Sequence, residues 1–176
     1  MKHFKRGLLS LAVAAAFATG AAQAQVSDNV IKIGILSDMS SLYTDLAGAG
    51  SVVAARMAVE DSGIEKRGYK VEFVSADHQN KPDIGSGIAR QWYDTDKVDV
   101  IVDTPNSGVA LAVNQITKDK GKAFLVSGAA SSDLTGKACT PNTIHWTYDT
   151  WMLANGTGSA IVKTGGWVYS RLLLAT

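Results

Sequence analysis

Two short polar loops hold the residues of this chain that are best suited to binding a small ligand. One loop spans residues 103–107 and ends at Ser107, which is predicted to be the N-cap of a helix. At such a position free backbone N–H groups and the helix dipole favour a carboxylate. The other loop spans residues 127–132 and contains Ala129-Ala130-Ser131, whose small side chains and hydroxyl let a ligand approach the backbone. The same composition also fits loops that only end a strand and cap a helix.

Both loops belong to one strand–helix–strand unit. Residues 98–102 and 123–126 are apolar runs typical of strands that are buried in a parallel sheet. Between them, apolar residues from Gly108 onward fall on one helical face, and Gly121 is predicted to end the helix. Because the crossover between parallel strands is right-handed, we expect both loops at the carboxyl edge of the sheet, where α/β proteins bind ligands.

The rest of the chain repeats this alternation of strands and helices. The predicted elements are a strand at 30–37, a helix at 47–62, a strand nearer a sheet edge at 70–76, a helix at 84–95, a short strand within 143–148 and a weak, glycine-containing helix to Lys163. Strands that alternate with helices in this way predict an α/β fold with a doubly wound parallel sheet.

The first 24 residues are predicted to be a secretory signal peptide rather than part of the fold. A basic start precedes an apolar stretch, too short to cross a bilayer, and the cleavage motif Ala22-Gln23-Ala24. A mature chain from Gln25 keeps 14 of the 17 Lys and Arg residues against 16 Asp and Glu, so its net charge is near −2. No basic patch runs along it, and nucleic-acid binding has no electrostatic support. The single Cys139 is either a buried small residue or has its partner outside this chain.

The sequence offers little support for catalysis, nucleotide binding or metal binding. No P-loop is present, and Gly48-Ala49-Gly50 does not follow a strand directly, as the glycines of a dinucleotide-binding turn do. His78 has no second ligand at helical spacing, so neither a metal nor a cofactor is expected. Ser107 or Ser127 would be the nucleophile of a hydrolase, but neither lies in a G-x-S-x-G motif. No catalytic residue is therefore assigned.

Four stretches resemble a known family. They are IKIGILSDMSSLYTDLAGAGSVVAARMAVED, the strand–loop–helix of residues 98–113, FLVSGAASSDLTG and CTPNTIHWTYDTW, and they span most of the mature chain. Together they resemble the N-terminal lobe of periplasmic solute-binding proteins of the branched-chain amino acid (Leu/Ile/Val-binding) type of ABC transporter. The run W-T-Y-D-T-W is most similar to members some of which take aromatic acids or other small carboxylates. The resemblance implies two α/β lobes that close on a ligand, no enzymatic activity, and an ABC permease as the membrane partner.

The resemblance also implies which residues contact the ligand. Ser107 is at the position whose hydroxyl and backbone receive the carboxylate or amino group of the ligand, and Ala129, Ala130 and Ser131 form the second contact to that group. The loop after the first strand lies where members contact the ligand side chain. The implied contact residues are Ser107, Asn106, Ala129, Ala130, Ser131, Tyr43 and Tyr148, with Trp151 as a further residue of the cleft wall.

The end of the chain departs from the pattern of this family. Members continue with a W-F-F-L type of strand and a second lobe, whereas this chain has GWVYSR from Gly166 and stops at Thr176. We therefore expect a signal peptide over 1–24, an N-terminal lobe over 25–163 and an aberrant or truncated tail over 164–176. A naturally short chain whose last strand pairs at the sheet edge is the alternative. A site covered on one side predicts that the chain alone binds ligand weakly or not at all.

The sequence thus predicts a periplasmic, non-enzymatic solute-binding component of an ABC importer for amino acids or small carboxylates, aromatic ones included. Two other functions stay open at this point. A ligand-sensing receptor domain uses the same fold, and a transmembrane or signalling segment would follow it in the uninterrupted gene. A periplasmic serine hydrolase would turn over esters and would lose this activity when its serine is replaced by alanine.

Overall fold

Five parallel strands form one sheet in the computed structural model, which describes residues 29–165. The strands are β1 (Val30–Ser37), β2 (Lys70–Asp77), β3 (Val100–Asp103), β4 (Ala123–Val126) and β5 (Thr143–His145). Their order across the sheet is β2-β1-β3-β4-β5, and every neighbouring pair is parallel. The predicted α/β fold with a parallel sheet is confirmed, and β2 lies at an edge of the sheet as predicted.

Helices follow the strands in the predicted order. They are α1 (Gly48–Ser62), α2 (Pro82–Asp94) and α3 (Ser107–Lys120), with short 3-10 turns at Glu65–Arg67 and Ser132–Leu134. After β5 come the single turn α4 (Thr150–Met152), a π-helical segment (Leu153–Gly158) and α5 (Ser159–Lys163). Gly63 and Gly121 end α1 and α3 in left-handed backbone, at φ of 63° and 62°, as the sequence predicts.

One face of the sheet is covered by α2 and α3 and forms the hydrophobic core. Leu36 of β1, Ile101 of β3 and Phe124 of β4 are fully buried there and belong to one cluster with Trp92 of α2. Gly34 of β1 lies directly against Trp92, because a Cβ atom at this position would be 2.5 Å from the indole ring. A glycine at this point of the strand therefore lets the indole approach the sheet.

The opposite face is covered only partly by the described residues. Ile33 of β1, Val102 of β3 and Leu125 of β4 line an apolar groove of about 400 Å³ beside α1. Ile144 and Trp146, on the β5 side of this face, are each 58% exposed. Since parallel sheets normally have both faces covered by helices, this half-covered face is the least typical feature of the fold.

Two predicted elements begin two residues away from the observed start, whereas the other boundaries of β1 to β4 and α1 to α3 differ by one residue at most. The strand predicted at 98–102 is part of the ladder only from Val100, because the Val98 N–H donates to the Trp92 carbonyl at the end of α2 at 3.0 Å. Helix α2 begins at Pro82 and not at residue 84. Proline suits the first turn of a helix, where its missing N–H would have no partner in any case.

Several predictions concern the two ends of the chain or its cysteine. The predicted signal peptide and residues 166–176 of the predicted tail lie outside the described residues. Between residues 29 and 165, no helix is long and apolar enough to cross a membrane. Cys139 is exposed and free within this range, so the interpretation as a buried small residue is wrong.

Candidate ligand-binding site

Polar side chains are buried where the parallel strands end. Ser37 and Asp38 at the end of β1 are fully buried, as is His78 after β2. Asp103, the last residue of β3, is 4% exposed. Because all five strands are parallel, these residues share the carboxyl edge of the sheet, which is the edge predicted to bind ligands.

Asp103 links the ends of three strands. Its Oδ2 accepts a hydrogen bond from Ser37 Oγ of β1 at 2.6 Å, and its Oδ1 accepts one from Ser127 Oγ after β4 at 2.9 Å. Ser37 Oγ in turn accepts a hydrogen bond from the N–H of Gly48, at the start of α1, at 3.0 Å. The carboxylate therefore holds β1, β3 and β4 together at the point where the β3–α3 loop begins.

The β3–α3 loop (residues 104–106) is in direct contact with the β4 loop (residues 127–131). The Ala130 N–H donates to Ser107 Oγ at 3.2 Å. A Cβ atom on Gly128 would lie 3.1 Å from the Cα of Pro105, so only glycine fits between the two loops without a shift. The two loops that the sequence singles out are thus brought together into one surface.

The cap of α3 differs from the prediction. Asn106, not Ser107, is the N-cap residue, and its side chain accepts a hydrogen bond from the Val109 N–H at 2.9 Å. Asn and Ser are equally good N-cap residues, so the sequence alone does not decide between these neighbours. Ser107 is the first residue of the helix, and its hydroxyl is therefore available for the contact with the β4 loop.

The loop after β1 is organised by Asp38. Its carboxylate accepts hydrogen bonds from the Tyr43 N–H at 2.9 Å, the Ser41 N–H at 3.0 Å and the Ser41 hydroxyl. Burial by itself raises the pKa of Asp38, but these hydrogen bonds outweigh it and lower the pKa below its ordinary value. Asp38 is therefore ionised at neutral pH and fixes the backbone at Tyr43.

The end of β5 and the segment that follows it contact the β4 loop from the other side. His145 Nε2 lies 2.7 Å from the carbonyl oxygen of Ala129, and the Thr150 N–H donates to the Ala130 carbonyl at 2.8 Å. Tyr148 and Trp151 are 40% and 68% exposed beside these contacts. The backbone of this segment is thus fixed, while its aromatic side chains remain accessible.

The structure brings five of the seven predicted contact residues together. These five are Asn106, Ser107, Ala129, Ala130 and Ser131. Ala129 is fully buried and its carbonyl oxygen lies against His145, so it offers no exposed surface to a ligand. Ser131 Oγ accepts a hydrogen bond from the Asp133 N–H at 3.3 Å. Tyr43 lies on the β1 loop and Tyr148 lies after β5, outside the two loops in contact.

No serine–histidine pair is formed within residues 29–165. His78 Nδ1 accepts a hydrogen bond from the Asn80 N–H at 2.9 Å, and its buried Nε2 has no partner in this range. Burial lowers the pKa of His78 despite the neighbouring carboxylates, so the ring is neutral at pH 7. The Ser127 hydroxyl donates to Asp103 and not to a histidine. In the same range no three His, Cys, Asp or Glu residues are placed to hold a metal ion.

Comparison with known proteins identifies the family. The family profile described as "Periplasmic binding protein" matches residues 30–173. The chain belongs to the periplasmic binding protein family. No curated protein gives a significant match.

Three solved structures of periplasmic binding proteins are similar to this chain. A periplasmic binding protein from Burkholderia mallei is 47% identical with a TM-score of 0.75, over 78% of this chain and 37% of its own. A branched-chain amino acid ABC transporter periplasmic ligand-binding protein from Burkholderia xenovorans LB400 is 38% identical with a TM-score of 0.73, over 82% and 41%. An ABC transporter solute-binding protein from R. palustris, in complex with benzoate, is 26% identical with a TM-score of 0.71, over 77% and 38%.

These comparisons bear on the function predicted from the sequence. The chain spans about two fifths of the length of the solved periplasmic binding proteins. Membership of the family implies an extracytoplasmic location. The relatives are transport-related binding proteins, which are not enzymes, so they give the hydrolase interpretation no support.

The sequence analysis predicts no role for Asp38 or Asp103, although both lie at the carboxyl edge of the sheet. Each organises a loop of the site through hydrogen bonds with side chains or backbone of other residues. A signal for both exists in the sequence, since each is the first acidic residue at the end of an apolar strand. That pattern gives their place at the edge, but the partners of their carboxylates are apparent only in three dimensions.

Proposed function

We propose that this chain is a ligand-binding lobe of the solute-binding component of an ABC importer. We propose further that its ligand is an amino acid or a small carboxylate, aromatic ones included. The observation that carries the proposal is the contact between Ser107, at the start of α3, and Ala130 on the β4 loop. This contact builds one polar surface at the carboxyl edge, where a ligand head group would bind.

The start of α3 suits the head group of such a ligand. Ser107 and Gly108 are the first two residues of a 14-residue helix, and within the described range their N–H groups have no acceptor. Because Ser107 Oγ accepts a hydrogen bond from Ala130, its own proton is free to be donated to a ligand oxygen. Two N–H groups, a hydroxyl and the positive end of the helix dipole together favour a carboxylate.

We propose that three further residues, Asn106, Tyr43 and Tyr148, complete the site. Asn106 uses its side-chain oxygen as the helix cap, which leaves its amide N–H groups to donate to a ligand. Tyr43 extends from backbone that Asp38 holds, and Tyr148 is exposed next to the β4 loop. Both rings are suited to contacting an apolar or aromatic ligand body.

The solved relatives support this ligand class. One relative is described as a branched-chain amino acid ABC transporter ligand-binding protein, and another was solved in complex with benzoate. Both ligand types carry a carboxylate next to an apolar body. We accordingly propose export by a signal peptide over 1–24, a ligand-binding lobe over 25–163 and docking on an ABC permease.

A titration followed by ¹H–¹⁵N NMR tests the proposal. The chain is titrated with sodium benzoate and, separately, with L-leucine. We expect saturable shifts of the Ser107, Gly108 and Ala130 amide signals with a Kd weaker than about 1 mM, because we propose that these residues contact the ligand from one side only. NMR detects binding of this strength.

One variant tests the role of Ser107, and a second variant is its control. Ser107→Ala removes the hydroxyl at the head-group position and is expected to weaken these shifts strongly. Ser86→Ala changes a half-buried serine of α2 outside the site and is expected to leave them unchanged. Micromolar or tighter binding would contradict the one-sided site, and equal binding by both variants would contradict the role of Ser107.

A further inference from the structure

Asp103 is a buried carboxylate without a cationic partner. It is 4% exposed, and no salt bridge within residues 29–165 involves it. Its hydrogen bonds come instead from two neutral donors, the hydroxyls of Ser37 and Ser127. Burying a carboxylate is costly unless its oxygens are hydrogen-bonded, so these two serines are what makes Asp103 tolerable in this position.

The backbone at Asp103 is unusual as well. Its φ is 83°, and Thr104 follows at a φ of 57°. This left-handed region is unfavourable for residues with a Cβ atom and is normally occupied by glycine. A glycine at position 103 would form the same turn without strain. The aspartate therefore contributes something that the turn itself does not need.

The turn leads directly into the contact between the two loops. Pro105 packs against Gly128 beyond the turn, and Ser107 then meets Ala130. Asp103 Oδ1 lies 3.9 Å from the position that a Cβ atom on Gly128 would occupy, so the carboxylate is adjacent to both loops. Through Ser127 it also holds the first residue of the β4 loop.

We propose that Asp103 is a positioning residue: its carboxylate, held by Ser37 and Ser127, fixes the turn that sets Ser107 against Ala130. The purpose of this arrangement rests on the proposed function, since Ser107 and Ala130 are the head-group contacts. The positioning itself is independent of any ligand and is tested without one.

Amide hydrogen exchange in the free chain is the test, with Asp103→Gly as the main variant. Glycine permits the left-handed backbone but removes the whole side chain and adds backbone freedom, so Asp103→Asn, which keeps a side chain at this position, is measured beside it. We expect the Ala130 N–H, which donates to Ser107, to exchange about tenfold faster, because a lost hydrogen bond has about this effect on local opening. The Phe124 N–H, which donates to the Asn142 carbonyl at 3.0 Å in the core, is expected to keep its rate.

Further variants separate positioning from general stability. Ser127→Ala removes one donor and leaves residue 103 unchanged, so we expect a smaller acceleration at Ala130 only. Asp103→Asn keeps one acceptor oxygen, so its Ala130 N–H should exchange at a rate between those of the wild type and of Asp103→Gly. Asp61→Asn changes an exposed aspartate of α1 and should have no effect.

Two results would overturn the proposal. In the first, Ala130 exchanges at the wild-type rate in Asp103→Gly. In the second, Ala130 and Phe124 accelerate by the same factor, which would show a purely structural role. A failure of both benzoate and L-leucine to shift the amide signals would count against the proposed ligands alone and leave the exchange result unaffected.

Discussion

The two faces of the sheet differ in how completely they are covered. On the face under α2 and α3, Phe124 is fully buried, whereas its neighbour Leu125 on the opposite face is only half-buried beside the groove. Adjacent residues of one strand point to opposite faces, so this pair compares the two environments directly. The difference indicates that the covered face contributes more to the stability of the described fold than the half-covered face does.

The largest expected effect comes from truncating this pair of side chains. Phe124→Ala should lower the free energy of unfolding by roughly 3–5 kcal/mol, since it empties a packed site. Leu125→Ala should lower it by only about 1 kcal/mol, because water already reaches part of the side chain. Urea unfolding followed by circular dichroism measures both values. Equal losses would show that the open face is as well packed as the other.

The second prediction concerns alkaline pH and the covered face. Burial raises the pKa of Tyr93 of α2 to about 12, although its hydrogen bond with Thr117 lowers it. Above pH 10 the unfolded chain loses the phenol proton while the folded chain keeps it, so the unfolding free energy falls between pH 10 and 12. The loss from this group should be roughly 2–3 kcal/mol at pH 12 and absent in Tyr93→Phe. Parallel pH profiles of both proteins would contradict the burial of this hydroxyl.

The third prediction tests the close approach of α2 to the sheet. Gly34→Ala should destabilise the fold by about 1–3 kcal/mol, because the new methyl group would lie 2.5 Å from Trp92. The indole must then move away from β1, which should also change its fluorescence. Unchanged stability and fluorescence would show that Trp92 has room on this face.

The smallest change in stability is expected for a substitution in α1. Gly50 has no atom within 4 Å of an added Cβ atom, so Gly50→Ala should stabilise the chain by about 0.5 kcal/mol through helix propensity alone. Gly87→Ala, at an equally open position of α2, is the matched control and should give a similar gain. A loss of stability in Gly50→Ala alone would indicate that α1 packs more closely than described. Thermal unfolding measures both changes.

Most of the fold follows from local features of the sequence. Apolar runs end at polar residues where the strands end, and Gly63 and Gly121 end the helices where the chain needs left-handed backbone. The parallel order follows from the alternation of strands and helices. The uneven covering of the two sheet faces does not follow from the sequence. Periodicity shows that a helix has an apolar side, but it does not show which face of the sheet the helix packs on.

The candidate site was predictable in position but not in detail. The edge and its two loops follow from topology, and both loops are indeed in contact. The sequence predicts the helix start one residue too late, with Ser107 as the N-cap in place of Asn106, since both are good N-cap residues. The hydrogen bond from Ser37 to Asp103 joins residues 66 positions apart, and no local pattern contains that information.

Ligand binding at the carboxyl edge is tested most directly by an isotope-filtered NOE experiment with benzoate on the ¹³C-labelled chain. We expect contacts from the ring protons of benzoate to the Ala130 methyl group and to the Tyr43 ring. The apolar groove beside α1 is the competing location, because its apolar lining would accept the ring of benzoate but not the carboxylate. Contacts to Ile33, Val102 and Leu125 instead would place the ligand in that groove and contradict ligand binding at the carboxyl edge.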